Sequence, residues 1–379
     1  MKKIKIIILI IAAVLLLAEL GFLGFQAISK PEPTEPPVQT VPPTEAPTEP
    51  PTEAPTEPPT EAPTEAPTEA PTESPVLYTN PLTGEPLEEP LQTRIFAVSN
   101  DNIAKALPHV GADQADLYFE MFINDHSTRG LALFADIRQV ETFGAVRSWR
   151  YNFTDIALAY DTIGGHAGGS NQVLADANSS GIDHINVSST NASFRDKDRK
   201  STGYATEHTL MINGTKLYDY LEKKSYRVTQ DPDKTYGMTF TADGTPADGE
   251  AAGRIVITFT HDKVSKLSTM TYDETLGEYV YTQYGKEIDS VKEKDRESFE
   301  NVFVIITSVT NQGVYHVADL DAGGDGYYAC GGKIIPIKWV HENPTDPITF
   351  THVDGTPLTQ GIGDSYIGIA TLKSTVEWE

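Results

Sequence analysis

Apolar and polar positions divide the chain into three stretches of different character. Residues 6–28 are apolar except for Glu19 and Gln26, residues 31–75 form a polar repeat, and from residue 78 onward short apolar runs alternate with polar segments. A helix of about 20 apolar residues is long enough to cross a bilayer. The pattern therefore predicts a membrane helix, then a segment without regular structure, then folded domains.

Lysines before the apolar run set the predicted orientation of this helix. Three of residues 1–5 are lysine, and basic flanks stay on the cytoplasmic side. We predict a Lys-rich cytoplasmic start and a transmembrane anchor over residues 1–30, with the rest of the chain extracytoplasmic. A cleaved signal peptide is the alternative, because Ile6–Ala18 has the length of the apolar region of such a peptide. A lipoprotein signal would need a cysteine directly after the apolar run, and the sequence has none there.

The polar repeat that follows has a period of four residues. Pro-Thr-Glu triplets begin at every fourth position from residue 43 to residue 71. Proline at this spacing excludes both helix and sheet, and repulsion between the glutamates favours an extended chain. We predict a disordered stalk over residues 31–75 that spans on the order of 100 Å, at roughly 3 Å per residue.

The segment from 78 to 230 combines apolar runs typical of strands with runs of helical spacing. Strands are predicted at 94–99, 117–123, 131–137 and 160–165, and helices at 153–160, at 172–178 and after Asn213. Alternating strands and helices are typical of layered α/β structure. We therefore predict an α/β N-terminal domain over residues 78–230.

The pattern changes after a Gly-, Pro- and Asp-rich segment. Residues 231–252 are predicted to be a connection. From 253 to 379 one apolar run follows another, separated by turns that contain Gly and Asp. This predicts a small, mostly antiparallel β C-terminal domain. The predicted fold class is mixed (α+β or α/β), with an α/β first lobe and a β-rich second lobe.

Charge and cysteine content narrow the functional classes. The formal net charge is −25, and the folded part remains acidic without the glutamates of the stalk. An acidic balance argues against nucleic acid as a partner. Cys330 is the single cysteine of the chain, so no intramolecular disulfide is possible. We expect its side chain to be a small buried apolar group.

Polar residues of the first lobe gather where predicted strands end and helices begin. Such positions form the usual ligand crevice of α/β sheets. Helix N-termini bind anions, and arginine grips a carboxylate or phosphate with two parallel hydrogen bonds. Residues 166–170, HAGGS, include two glycines that let a ligand approach the backbone. The predicted ligand-binding residues are Arg129, Arg147, Ser148, Arg150, His166, Gly168, Gly169, Ser170, Arg195, Asp196, Arg199 and His208.

Two other interpretations of the same residues stay open. In a purely structural one, the glycines serve a turn, Ser170 caps a helix, and the arginines pair with Glu120 and Asp196. A hydrolase would instead use Ser170 with His166 or His208, or carboxylates such as Glu120 and Asp196. The G-x-S-x-G pentapeptide of α/β-hydrolases is absent around Ser170.

Two further groups of residues are interpreted as structural, and no metal or cofactor is predicted. Asp319, Asp321 and Asp325 resemble a calcium loop, but Gly323 and Cys330 stand where an EF-hand needs acidic side chains. We interpret this segment as a Gly-rich β-turn. Four aromatic residues of the second lobe are interpreted as core side chains rather than as a sugar-stacking face: Tyr327, Tyr328, Trp339 and Tyr366.

Ten motifs along the folded part carry a resemblance to a known family. They are NPLTGEPL (80–87), AVSNDN (97–102), ADLYFEMFINDHSTRGLALF (115–134), GAVRSWR (144–150), HAGGS (166–170), FRDKDR (194–199), EHTLM (207–211), NVFVIIT (301–307), GGDGYYACGGKIIPIKW (323–339) and DGTPLTQGIGDSYIGI (354–369). In order and spacing they resemble the YerB-like proteins, candidate bacterial lipoproteins built on a domain of unknown function. The resemblance implies an α/β first domain, a small β-rich second domain and attachment at the outer face of the membrane, and it implies no activity. Relatives usually carry a lipid-modified cysteine where this chain has its predicted membrane helix.

These observations together predict a membrane-anchored, extracytoplasmic protein of the cell envelope. The favoured role is non-enzymatic: the first lobe binds an anionic ligand or a cell-wall fragment. Two alternatives stay open, a hydrolase acting on envelope polymers and an accessory module that holds another envelope protein through the β-rich lobe. The predicted partners are the membrane, through the N-terminal helix, and a cell-wall polymer or another envelope protein.

Overall fold

Strands are the dominant regular structure in the folded part of the chain. The structure, a computed structural model, describes residues 78–124, 127–262, 264–285 and 296–379. The predicted anchor (1–30) and the predicted stalk (31–75) lie outside the described residues. Within the described ranges, no helix combines the length and the apolar character that a bilayer span requires.

The largest element is a sheet of eleven strands, which we number in chain order. Ten strands lie side by side, in the order β12 (Glu250–Ala251), β21 (Lys333–Val340), β20 (Gly324–Cys330), β17 (Asn301–Thr307), β24 (Ser365–Thr371), β4 (Leu117–Asn124), β5 (Ser127–Phe134), β3 (Phe96–Asp101), β7 (Ile163–His166) and β8 (Asp183–Asn186). The eleventh strand, β22 (Thr349–His352), pairs with β21. The sheet thus takes strands from both predicted lobes.

Two parallel pairings at the centre of this sheet join distant parts of the chain. β24 pairs in parallel with β17 on one side and with β4 on the other, where Tyr366 lies beside Tyr118. Every residue of β24 is buried, as is usual for parallel strands that are covered on both faces. The predicted mixed fold of helices and strands is confirmed at that level, and strands prevail in it. The parallel seam departs from the antiparallel pairing expected of the C-terminal part, because the crossover that makes strands parallel leaves no mark in local periodicity.

A second sheet covers one face of the first. Its five antiparallel strands lie in the order β16 (Glu297–Phe299), β15 (Glu278–Gln283), β14 (Val264–Asp273), β13 (Arg254–His261) and β25 (Thr375–Trp378). β13 alternates buried with more exposed residues, which is the period of a strand with one covered face. Its Ile255, Ile257 and Phe259 pack in the same core as Tyr118 and Val302 of the main sheet.

Helices and short strands complete the described part of the chain. The helices there are α1 (Tyr151–Ala159), α2 (Asn171–Ser180), α3 (Lys197–Ser201) and α4 (Gly214–Lys223), and the 3₁₀ turns are Ala112–Gln114, Ile137–Gln139, Val187–Ser189 and Thr206–His208. The short strands pair as β1 (Tyr78–Thr79) with β2 (Pro86–Leu87), β11 (Phe240–Thr241) with β23 (Gln360–Gly361), β18 (Val309–Gln312) with β19 (Tyr315–Ala318), and β6 (Phe143–Gly144) and β9 (Ser193–Arg195) with β10 (Leu210–Ile212). The three predicted helices correspond to α1, α2 and α4.

The helices pack on both faces of the main sheet. Phe153 of α1 and Val173 of α2 share a core with Phe119, whereas Leu217 of α4 belongs to the core that holds Tyr118. Consecutive residues of a strand point to opposite faces, so α1 and α2 lie on the face opposite to the second sheet.

The aromatic residues of the second lobe behave as expected of core side chains. Tyr328, Trp339 and Tyr366 are fully buried, and Tyr327 is partly buried against the core that holds Tyr366. Their interpretation as core rather than as a sugar-stacking face is confirmed.

The thiol of Cys330 is also buried, as expected. It lies 3.2 Å from Glu300 Oε1, to which it donates a hydrogen bond. Burial first and the charge of Glu300 second raise the pKa of this thiol to about 12. A pKa raised in this way argues against a thiolate nucleophile at neutral pH.

One fully buried carboxylate, that of Glu120 in β4, connects the two sheets. Three of its hydrogen-bond donors come from the second sheet and three from the main sheet or its end. The donors are Lys266 Nζ (2.5 Å), Thr128 Oγ1 (2.6 Å) and Asn102 Nδ2 (2.8 Å) on Oε1, and Tyr366 OH (2.6 Å), Tyr281 OH (2.7 Å) and Ser268 Oγ (2.8 Å) on Oε2. We call these seven side chains the Glu120 network.

The Glu120 network keeps its carboxylate charged in spite of burial. Burial on its own would raise the pKa of Glu120, but the Lys266 ammonium and the surrounding hydrogen-bond donors outweigh it and lower that pKa below its usual value. Removing one partner of a buried ion pair leaves the other charge uncompensated. The network therefore makes the contact between the sheets depend on Glu120 and Lys266 together.

We expect Lys266→Met to destabilise the folded protein by about 3–5 kcal/mol, because it leaves the Glu120 carboxylate buried without its counter-charge. The matched control is Lys373→Met, since Lys373 pairs with Asp262 at the surface and such pairs contribute little. Urea unfolding of both variants measures the difference. Adding Glu120→Gln to Lys266→Met should recover part of the loss. Equal unfolding midpoints for the two lysine variants would contradict the assignment.

Candidate functional site

Three arginines lie together at one end of the main sheet. Arg129 is the third residue of β5, and Arg147 and Arg150 belong to the segment that links β6 to α1. Arg129 is only 4% exposed, and its Nη1 donates to the carbonyl oxygen of Ser148 at 3.2 Å. Its Nε, like that of Arg150, has no hydrogen-bond partner among the described residues. We call Arg129, Arg147 and Arg150 the arginine cluster.

The guanidinium groups of the cluster repel one another. Burial lowers the pKa of Arg129 well below its usual value, and the charges of Arg150 and Arg147 lower it further, against the opposing effect of Asp101. Burial also lowers the pKa of Arg150, opposed by Tyr315 and reinforced by Arg147. Because like charges repel strongly where water is excluded, this arrangement destabilises the fold unless negative charge offsets it.

Asp101 is the carboxylate in contact with the cluster. It is the last residue of β3 and is fully buried. Its Oδ2 lies 3.1 Å from Arg147 Nε and 2.7 Å from His208 Nδ1, and its Oδ1 has no hydrogen-bond partner in the described part of the chain. Within that part, Arg129 and Arg150 form no ion pair. Asp101 is paired with Arg147 and its charge also acts on Arg129, so the cluster has more positive than negative charge.

α1 begins at the arginine cluster. Its N-cap is Arg150, whose side chain makes no capping hydrogen bond, and its first turn has no acidic residue. Helix N-termini prefer Ser, Thr, Asp or Asn as caps and negative charge nearby, because the helix dipole is positive there. A basic N-cap is thus unfavourable by itself. An anion at this place would meet free backbone amides and guanidinium groups together.

Residues 166–170, HAGGS, lie against the segment that carries the arginines. The amide of Trp149 donates to Gly168 O, and the amide of residue 167 donates to Arg147 O, both at 2.8 Å. Gly168 has a φ of 83°, which glycine adopts without the strain that a Cβ would cause. A Cβ on Gly169 would lie 3.0 Å from a neighbouring leucine side chain. The turn therefore borders the cluster through its backbone.

The side chains of His166 and Ser170 have structural partners. His166 Nε2 lies 3.0 Å from His184 Nδ1, and His166 Nδ1 accepts from the amide of Gly168. Ser170 Oγ accepts from the amide of Val173 and so caps α2. A serine nucleophile needs a base within hydrogen-bond reach, and both nitrogens of His166 are engaged elsewhere.

Arg195, Asp196 and Arg199 surround the 3₁₀ turn Thr206–His208. Arg195 and Arg199 donate to carbonyl oxygens of this turn at 2.6 and 3.3 Å, and Asp196 caps α3. Arg147 reaches the same turn from the other side, with its Nη1 at 3.5 Å from a carbonyl oxygen. The turn thus lies between these three residues and the arginine cluster, and both groups donate hydrogen bonds to its carbonyl oxygens.

The structural interpretation expected arginines to pair with Glu120 and with Asp196. Among the described residues, the structure contains only the second of these ion pairs. Asp196 lies 3.9 Å from Arg199. Glu120, however, pairs with Lys266 and not with an arginine, because it points to the face of the main sheet opposite to that of Arg129.

A hairpin from the C-terminal part of the chain closes one side of the cluster. The guanidinium carbon of Arg150 lies 5.1 Å from the centre of the Tyr315 ring in β19. Tyr151 meets the same ring edge-on, with 6.1 Å between ring centres. The side-chain amide of Asn152 donates to Ala318 O and accepts from Ala318 N, both at 2.8 Å. These two bonds fix the hairpin β18–β19 on α1.

The side chains of this site are mainly donors of positive charge. Within the described ranges, no group of three His, Cys, Asp or Glu side chains is placed to hold a metal ion. The Asp319–Asp325 segment forms a turn, and Asp325 pairs with Lys338 at its end. Arginine donors, helix amides and a single carboxylate remain.

Sequence reasoning missed Asp101, Lys266 and Tyr315. Asp101 belongs to four consecutive polar residues, 99–102, at the end of an apolar strand. Because ligand sites lie at strand ends, this polar run could have indicated Asp101 as a site residue. Lys266 is a single basic residue in an alternating strand. Tyr315 has no local signal, since its place depends on how a distant hairpin packs.

We expect a pH-dependent contribution to stability from His166. Burial and the charge of His184 lower its pKa from 6.5 to about 4. The unfolded chain therefore binds this proton more readily, and stability is lost as pH falls through that window. Between about pH 7 and pH 5 the wild type should lose about 2 kcal/mol more than His166→Gln. Urea unfolding at both pH values measures this, and equal losses would refute the shift.

Comparisons with known proteins agree with this fold. Residues 82–227 match the family described as "Protein of unknown function (DUF3048) N-terminal domain", and residues 255–367 match the corresponding C-terminal domain. The YerB protein of Bacillus subtilis (strain 168), named as a candidate lipoprotein, is 28% identical over 276 residues, which cover 69% of this chain and 78% of the relative. The crystal structure of the YerB protein from Bacillus subtilis has a TM-score of 0.64 and 23% identity, over 79% of this chain and 99% of that one. With both segments matched in the same order, the chain belongs to the DUF3048 family of YerB-like proteins.

Proposed function

We propose that the chain is an envelope protein, attached at the outer face of the membrane, whose arginine cluster binds an anionic group of its ligand. A phosphate or a carboxylate of a cell-wall fragment fits this chemistry. The observation that carries the proposal is the gathering of Arg129, Arg147 and Arg150 at the N-terminus of α1, with Asp101 as the carboxylate in contact.

Energetics support an anion as a counter-charge for the cluster. Three partly or fully buried guanidinium groups lose hydration, and one carboxylate returns only part of that loss. Arginine presents a planar fork of donors that matches the oxygens of phosphate and carboxylate, and such charge-assisted bonds are about twice as strong as neutral ones. The Nε groups of Arg129 and Arg150 are buried without a hydrogen-bond partner among the described residues, so a negative charge nearby would offset part of the cost of burying these guanidinium groups.

Access to the cluster comes from its outer members. The side chain of Arg147 is 27% exposed, whereas Arg129 is only 4% exposed. A ligand would therefore meet Arg147 and Arg150 first and reach the donors of Arg129 with its most deeply placed oxygen. This order suits the charged end of a larger molecule.

Attachment to the envelope is supported by the relative that is named as a candidate lipoprotein. In this chain the attachment would come from the predicted helix within residues 1–30, and the predicted stalk would hold the folded part away from the bilayer.

We expect Arg147→Ala to weaken anion binding by about 10- to 100-fold, because one charge-assisted hydrogen bond contributes about 1.5–3 kcal/mol. Arg147 is preferred to Arg129 for this test, since its partly exposed side chain is less important for folding. The measurement is calorimetric titration of the full-length protein with inorganic pyrophosphate.

The matched control for this titration is Arg254→Ala, which removes a half-exposed arginine paired with Glu379 in the second sheet. Pyrophosphate affinity should stay at the wild-type value. Absence of pyrophosphate binding in the wild type, or equal weakening in both variants, would overturn the proposed site.

We expect the full-length protein to fractionate with membranes and to need detergent for release. A variant in which a cleavable signal peptide replaces residues 1–30 should be exported and recovered in the medium. Mass measurement of the mature wild-type N-terminus separates an uncleaved anchor from a processed one. Recovery of the intact wild type in the cytosol would disprove the attachment.

A further inference from the structure

We propose that the anionic ligand is a charged glycan, whose phosphate or carboxylate binds the arginine cluster while Tyr315 and Tyr151 contact the adjoining sugar ring. This inference rests on the proposed anion site and adds the chemical class of its ligand.

Both tyrosines stand beside the cluster and keep part of their surface accessible. Tyr315 and Tyr151 are half-buried, and their rings meet at 71° with centres 6.1 Å apart. They therefore form a corner rather than a closed stack. The Arg150 guanidinium lies 5.1 Å from the Tyr315 ring, so a group held by Arg150 is next to this corner.

Other aromatic residues of the C-terminal part differ in this respect. Tyr328, Trp339 and Tyr366 are fully buried and have no surface left for a ligand. A tyrosine with an accessible ring offers an apolar face together with a polar tip. Sugar rings combine an apolar face of C–H groups with polar hydroxyl edges, and an aromatic corner suits that combination.

The hairpin that carries Tyr315 is held in place before any ligand arrives. Asn152 clamps the backbone of Ala318 with two hydrogen bonds of 2.8 Å, and Asn311 and His316 are joined across the hairpin at 2.6 Å. A preorganised contact costs less conformational entropy on binding. Gln312, the exposed residue paired with Tyr315 across the hairpin, adds an amide group on the same face for hydroxyl contacts.

The position of the corner leads to a two-part recognition. The arginines of the N-terminal matched segment read the charge, and the hairpin of the C-terminal matched segment reads the ring attached to it. A neutral sugar would lack the first contact and a bare phosphate would lack the second. Only a molecule whose charged group is attached directly to a sugar ring would use the whole site.

The test is calorimetric titration of the full-length protein with three probes: inorganic phosphate, N-acetylglucosamine 1-phosphate and N-acetylglucosamine. We expect the sugar phosphate to bind roughly tenfold more tightly than phosphate, from the aromatic contact, and the neutral sugar to show no measurable binding. Tyr315→Ala should abolish the tenfold gain, so that phosphate and sugar phosphate bind with equal affinity. The readout is the ratio of these two affinities, because Tyr315 also contacts Arg150 and both probes use that arginine. Tyr315→Phe keeps the ring and should keep the gain.

Val314→Ala is the control on the same hairpin. Val314 is 70% exposed, and neither Tyr315 nor the arginine cluster is changed by this substitution. Thermal melting of each variant checks that the hairpin change leaves the fold intact. Equal affinity of the wild type for phosphate and sugar phosphate, or a gain that survives Tyr315→Ala, would overturn the glycan inference while the anion site stands. Failure of both phosphate probes and of pyrophosphate to bind would remove the anion site and the inference together.

Discussion

The charged carboxylate of Glu120 is the constraint on which the contact between the two sheets depends. Apolar packing is non-directional, so it allows one sheet to slide over the other. Hydrogen bonds, in contrast, require particular distances and angles. The Glu120 network has donors on four strands: β5 and β24, which flank β4 in the main sheet, and β14 and β15 of the second sheet. The network therefore fixes the relative position of strands that apolar contacts alone would leave adjustable.

The arginine cluster is placed by the residues next to that network. Thr128 donates to Glu120, and Arg129 follows it in β5 on the opposite face of the sheet. Asn102 also donates to Glu120, directly after Asp101 in the chain. Since consecutive strand residues point to opposite faces, the same two strand ends supply the interior network on one side and the charged site on the other. Stability and binding thus share their framework.

Local features of this protein were predictable from the sequence, and long-range ones were not. The spacing of apolar residues indicated α1, α2 and α4, and Ser170 and Asn213 were recognisable as helix starts. The proximity of residues 166–170 (HAGGS) to Arg147 was also predictable, because both segments lie where a predicted strand ends and a helix begins. The pair of Lys266 with Glu120, which are 146 residues apart, left no trace in either segment, because periodicity reports only on neighbours. The approach of Tyr315 to Arg150 was hidden for the same reason.

The parallel seam at β24 has a consequence for the order of assembly. β24 fits between β17 and β4, and its Tyr366 lies 246 residues after Glu120 in the chain. Until this late segment is synthesised, the two flanking strands have no shared neighbour, and open strand edges invite incorrect pairing. Contacts between such remote segments also slow folding. We therefore expect the middle of this protein to be among the last regions to close, after the periphery of both halves has formed.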